Sequence, residues 1–97
     1  MKAYELLYIV DSATPEETRE AVANRIAAIV TDPEGSIDNI DDWGKRKLAY
    51  EINGQAEADY TLVDFHTDPQ TIAELDRVLR ITDSVMRHMI VARTDRD

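Results

Sequence analysis

Apolar residues along this chain recur with two periods, every second residue in some stretches and every third or fourth in others. Residues 3–10, Ala-Tyr-Glu-Leu-Leu-Tyr-Ile-Val, read as a strand with Tyr4, Leu6, Tyr8 and Val10 on one face. Leu7 and Ile9 make the other face apolar too, as expected of a central strand. After the turn Asp11-Ser12-Ala13, the run Thr14-Pro15-Glu16-Glu17 signals a helix start: a capping threonine, a proline at the first helical position and a glutamate that closes a capping box. Val22, Ile26, Ile29 and Val30 then form a helical stripe, and Asp32-Pro33-Glu34-Gly35 ends it.

Residues 36–52 read as a long strand. Ile37 and Ile40 have opposite parity there, so a bend or bulge is expected, and Gly44 is a residue that permits one. Asn53-Gly54 reads as a hairpin turn, followed by a polar stretch, 55–59, expected as a wider mobile loop. The returning strand, 60–67, carries Thr61, Val63 and Phe65 on one face and Leu62, Asp64 and His66 on the other. Asp68-Pro69 opens a second helix with the stripe Ile72, Leu75, Val78 and Leu79, and Ile81-Thr82-Asp83-Ser84 breaks it. In the last strand, Val85 to Arg93, residues Val85, Arg87, Met89 and Val91 alternate with Met86, His88, Ile90 and Ala92; a short polar tail begins at about Thr94.

The order is β-α-β-β-α-β, and each helix is a crossover. Right-handed crossovers put both helices on one side of the sheet. The expected fold is an α+β, ferredoxin-like sandwich: a four-stranded antiparallel sheet with two helices on one face, as a single domain over residues 1–97. The first and third strands are central, and the opposite sheet face is left open. Tyr4, Leu6, Tyr8 and Val10 are expected in the core, with Met89 and Val91. That leaves Leu7 and Ile9 on the open side, with Met86 and Ile90 as neighbours.

Composition removes several function classes. There is no cysteine, so disulfide and thiolate chemistry are excluded and a reducing cytoplasm is the easier home. No signal peptide is read at Met1-Lys2, and Leu6 to Val10 is far too short to span a bilayer. His66 and His88 are far apart and lack the further ligands a metal site needs. The loop after the first strand, Asp11 to Pro15, is acidic and has neither the glycine nor the arginine that would cradle a phosphate. Ser12 has no paired base, so no catalytic residue is expected. Strands one and three offer Leu7, Ile9, Leu62, Asp64 and His66 rather than a row of aromatics, which disfavours base stacking on the centre of the sheet.

Charge is uneven. Lys and Arg total 11 against 20 Asp and Glu, a formal net charge of −9, which by itself opposes nucleic acid. Yet Lys45, Arg46 and Lys47 are adjacent, directly after Trp43-Gly44, and Asp32, Glu34, Asp38, Asp41 and Asp42 crowd the stretch before them. Strand parity sends Arg46 one way and Trp43, Lys45 and Lys47 the other. The competing reading of the block is a solvated edge that resists aggregation.

The run Gly44-Lys45-Arg46-Lys47-Leu48-Ala49-Tyr50-Glu51-Ile52 resembles the Gly-x-Arg-x-Leu-Ala-Tyr-x-Ile pattern of bacterial small-subunit ribosomal protein six, preceded by the family's acidic residue and tryptophan at Asp42-Trp43. Leu79 to Val91 resembles a second family stretch, and Tyr4-Glu5 fits the opening strand. The resemblance implies a ferredoxin-like structural protein of the small ribosomal subunit, cytoplasmic, that binds the central domain of small-subunit ribosomal RNA together with ribosomal protein eighteen. It implies no enzyme activity, cofactor, metal, membrane or small-molecule substrate. Lys2, Lys45, Arg46, Lys47, Arg80, Arg87 and Arg93 are the expected RNA contacts, and Leu7, Ile9, Trp43, Met86, His88 and Ile90 the expected partner contacts. The rival class is a non-ribosomal regulatory or ligand-binding module of the same topology that forms a homodimer.

Overall fold

The computed structural model describes every residue except 33, 53, 54 and 97, and of residues 48–52, 55 and 56 it describes the backbone only. The chain runs β1 (Lys2–Asp11), α1 (Glu16–Thr31), β2 (Ser36–Ile52), β3 (Gln55–Thr67), α2 (Pro69–Ile81), β4 (Val85–Ala92) and a short 3-10 turn, Thr94–Arg96. The sheet order is β2-β3-β1-β4, with every neighbouring pair antiparallel. Leu6, Tyr8 and Val10 of β1 pack with Val63 and Phe65 of β3 beneath Val22, Ile26 and Val30 of α1 and Leu75 and Leu79 of α2. One parity of the central strands therefore meets both helices, and the other parity is left without a helical cover. This is the ferredoxin-like arrangement that the element order implies, with the basic block on an edge strand.

Three local expectations change. Helix α1 starts one residue later than the capping-box reading has it: Pro15 is the N-cap and makes no side-chain cap, while Asp11 holds the turn by accepting from the Ala13 and Thr14 amides, both at 2.9 Å. Asp68 stands at the N-cap of α2, also without a side-chain bond, and proline occupies the first turn as expected. The polar segment 55–59 is not a loop. It is the start of β3, laddered to Arg46 and Lys47 through Ala58 and Glu57, because backbone pairing inside a long hairpin does not require apolar side chains. The Asn53-Gly54 turn and the side chains of Leu48, Tyr50 and Ile52 lie outside the described residues.

A polar tie joins the second helix to the sheet. His88 Nε2 and Asp76 Oδ1 are 2.7 Å apart, and Arg80 pairs with the same carboxylate. The hydrogen bond to His88, aided by Arg80, holds the Asp76 carboxyl below its ordinary range. A lowered folded-state pKa adds stability above the unfolded value that disappears as pH falls through it. Asp76→Asn is expected to be less stable than the parent near neutrality, and the two melting curves should converge below about pH 4. A gap that stayed constant down to about pH 2 would show that the ionised carboxylate is not what holds α2 to β4.

Candidate RNA and partner interface

The register fixes which side chains line the uncovered face. Glu5, Leu7 and Ile9 of β1 stand opposite Asp64, Leu62 and Tyr60 of β3 on one side, and opposite Val91, Met89 and Arg87 of β4 on the other. Leu7 is half-buried, Ile9 is nearly covered between Tyr60 and Arg87, and Met89 and Val91 are 57% and 41% exposed. The uncovered face is therefore apolar at its centre.

This reverses the expected faces of the last strand. Ile90 stands opposite Leu6 and packs on the core, and His88 stands opposite Tyr8 and reaches Asp76 of α2. Neither shares the face of Leu7. Their places are taken by Met89 and Val91, which parity had assigned to the core. The cause is an irregularity where Ile9 pairs with Arg87 but Val10 pairs with Val85. It lets Val85 and Ile90 both meet the core although their parities differ. Met86 falls within the irregularity, half-buried and outside the pairing.

A second bulge shapes the basic edge. Asp42 pairs with Thr61 and Gly44 with Tyr60, so Trp43 is an extra residue. Gly44 has φ 73°, the left-handed region that costs glycine nothing, and a Cβ there would meet open space. The carboxylates before it set the turn: Gly44 N donates to Asp42 Oδ1 at 2.9 Å, and Trp43 Nε1 donates to Asp41 Oδ2 at 3.1 Å. The indole then lies nearly parallel to the Tyr60 ring, at a centroid distance of 6.2 Å and an interplanar angle of 10°. Trp43, Tyr60, Arg46 and Lys47 line one shallow hollow. Parity had separated Trp43 from Arg46; the bulge brings them together.

The seven expected RNA contacts do not form one site. Lys45, Arg46 and Lys47 are exposed and make no ion pair with another described residue. Arg87 is exposed on the open face, and Lys2 begins β1 at its far end. Arg80 belongs to the helix layer, where Asp76 holds it. Arg93 is engaged at the acidic end of the open face, where its Nη1 donates to Glu5 at 2.9 Å and its Nη2 to Asp95 at 3.2 Å.

That acidic end is held by Arg96, which no motif or charge run in the sequence marks. Glu5 and Asp64 oppose each other across two strands, an unfavourable like-charge pair. Arg96 relieves it by donating to Asp64 at 2.7 Å, and the turn Thr94–Arg96 folds over β1 instead of trailing as a polar tail. His66 pairs with Asp38 through one ring nitrogen and lies 3.3 Å from the Arg96 carbonyl through the other. Among the described residues there is no group of three or more side chains fit to hold a metal, and no helix is long and apolar enough to cross a membrane.

Residues 3–92 match the family model for ribosomal protein S6. The chain belongs to the ribosomal protein S6 family. It is 44% identical over 93 residues to the small ribosomal subunit protein bS6 of Clostridium botulinum, covering 96% of this chain and 99% of that one. The Clostridium beijerinckii protein of the same name is 45% identical over 91 residues, 94% and 96% of the two chains. The crystal structure of 30S ribosomal protein S6 from Thermotoga maritima superposes with a TM-score of 0.87 at 36% identity, covering 97% of this chain and 89% of that one. As an S6 family member the chain is a bacterial small-subunit ribosomal protein of the cytoplasmic ribosome, and its ferredoxin-like fold is that of the family. The S6 assignment accounts for the sequence motif at 42–52: its glycine is the bulge residue Gly44 and its arginine is Arg46, beside Trp43.

Proposed function

We propose that this S6 family member binds the central domain of small-subunit ribosomal RNA together with ribosomal protein eighteen, as a structural component without catalysis. The observation that carries this reading is the open sheet face. Leu7, Leu62, Met89 and Val91 form an apolar strip that neither described α-helix covers, and the Arg46–Lys47 edge adjoins the sheet through β3. The apolar strip suits a protein, and the edge suits phosphate. A chain of net charge −9 binds RNA weakly alone, and a basic protein seated on the strip supplies the missing attraction.

Adjacent residues of β4 give the test. Met89→Asp, on the open face, is expected to cut binding of ribosomal protein eighteen by at least about tenfold while moving the melting temperature by only a few degrees. Ile90→Asp, one residue on and packed on the core, is expected to destabilise the domain strongly, because it sets a carboxylate in a partly buried place against Leu6. Partner binding that survives Met89→Asp in a folded domain would remove the open face from the interface.

A further inference from the structure

The hollow on the edge strand has the features of a subsite for one form of RNA. It joins an aromatic face to two cations. Trp43 is 38% exposed, its plane set against Tyr60 and its ring nitrogen held by Asp41. Arg46 and Lys47 line the same hollow and make no ion pair with another described residue, in a chain rich in carboxylates. Asp41 and Asp42 are turned to holding the bulge, and their charge disfavours a phosphate on their side of the indole. The Arg46–Lys47 side is left for it.

We propose that Trp43, Tyr60, Arg46 and Lys47 form a subsite for a single unpaired nucleotide, with its base on the exposed face of the Trp43 indole and its phosphate against Arg46 and Lys47. A base inside a duplex has both faces covered, so an indole at a sheet edge selects a bulged or looped nucleotide. Stacking on an aromatic tolerates any base, because each has a π-face, and the cations contribute without reading sequence. The open strip described above has no exposed cation pair beside an aromatic; this hollow has, and that favours RNA over a protein segment as its occupant. The inference rests on the RNA-binding reading and narrows it to the chemical form of nucleotide that β2 takes.

The test uses the assembled complex of this chain, ribosomal protein eighteen and central-domain RNA, probed with base-specific methylating reagents. The parent chain is expected to protect at least one unpaired base. Trp43→Ala should expose that base and weaken assembly by about tenfold, whereas Trp43→Phe should keep the protection. Arg46→Ala should lower the salt dependence by roughly 0.7, the value for one single-strand phosphate contact. If the complex forms and no base changes reactivity in Trp43→Ala, the subsite is refuted while the RNA-binding reading stands. If Trp43→Ala instead weakens binding of the protein partner in the absence of RNA, the indole belongs to the protein interface and the subsite is equally refuted. Failure of the parent complex to form removes both readings.

Discussion

Replacing Lys45, Arg46 and Lys47 together with alanine is expected to weaken RNA assembly on the order of a hundredfold at low salt and to flatten its salt dependence by about 2–2.7, since each phosphate contact contributes roughly 0.7–0.9. The reasoning is electrostatic. These are adjacent exposed cations on an edge strand of a chain with net charge −9, and none forms an ion pair with another described residue. All three side chains are exposed at the sheet edge, so the melting temperature should hardly move. Assembly should also weaken alike across RNA sequences, because phosphate contacts carry no sequence information. Affinity measured at several salt concentrations separates this from the edge-protection reading, under which the slope would stay as it is.

The second large effect is on stability. Gly35→Ala is expected to destabilise the domain by about 3 kcal/mol and to lower its melting temperature by roughly 12–24 °C. A Cβ on Gly35 would lie 1.7 Å from the Val30 carbonyl oxygen and 2.8 Å from the His66 carbonyl oxygen. Both are backbone atoms, so no side-chain rotation relieves the overlap. The Val30 carbonyl is also the acceptor for the buried Thr67 hydroxyl at 3.0 Å. Any shift of the end of α1 to admit the methyl group therefore breaks a buried hydrogen bond as well. Denaturant or thermal unfolding checks this directly; a parent-like midpoint would mean that the α1–β2 junction is far less tight than its geometry.

Those two predictions differ in how far the sequence announces them. The three cations are visible as a run, and Gly35 is visible only as a helix stop, since the approach of His66 depends on β3 lying beside the start of β2. The helical stripes were legible because a 3.6-residue period survives small changes in register: Val22, Ile26, Val30, Leu75 and Leu79 are all buried. Strand faces are more fragile. A one-residue irregularity inverts every side chain beyond it, which is why Ile90 and Met89 exchanged roles and why Trp43 came round to Arg46. Gly44 was a signal for the second irregularity, being the residue type that accepts a positive φ; β4 has no glycine to mark the first. Arg96 was illegible for another reason. Its partners Glu5 and Asp64 are distant in sequence, and only the antiparallel pairing of β1 with β3 brings them together.

The same pairing divides the open face into an apolar centre, a cationic edge and an ion-paired acidic end. Arg93 and Arg96 neutralise Glu5 and Asp64 at that end. At the cationic edge, Lys45, Arg46 and Lys47 of β2 are exposed and make no ion pair with another described residue.

The most direct test of the account is the molar mass of this chain in solution, alone, with ribosomal protein eighteen, and with both that protein and central-domain RNA, before and after nuclease treatment. The expected results are a monomer alone, a one-to-one pair that survives nuclease, and a ternary complex only when RNA is intact. A stable homodimer that neither ribosomal protein eighteen nor RNA dissociates would contradict it, because the open face would then be filled by a second copy of this chain.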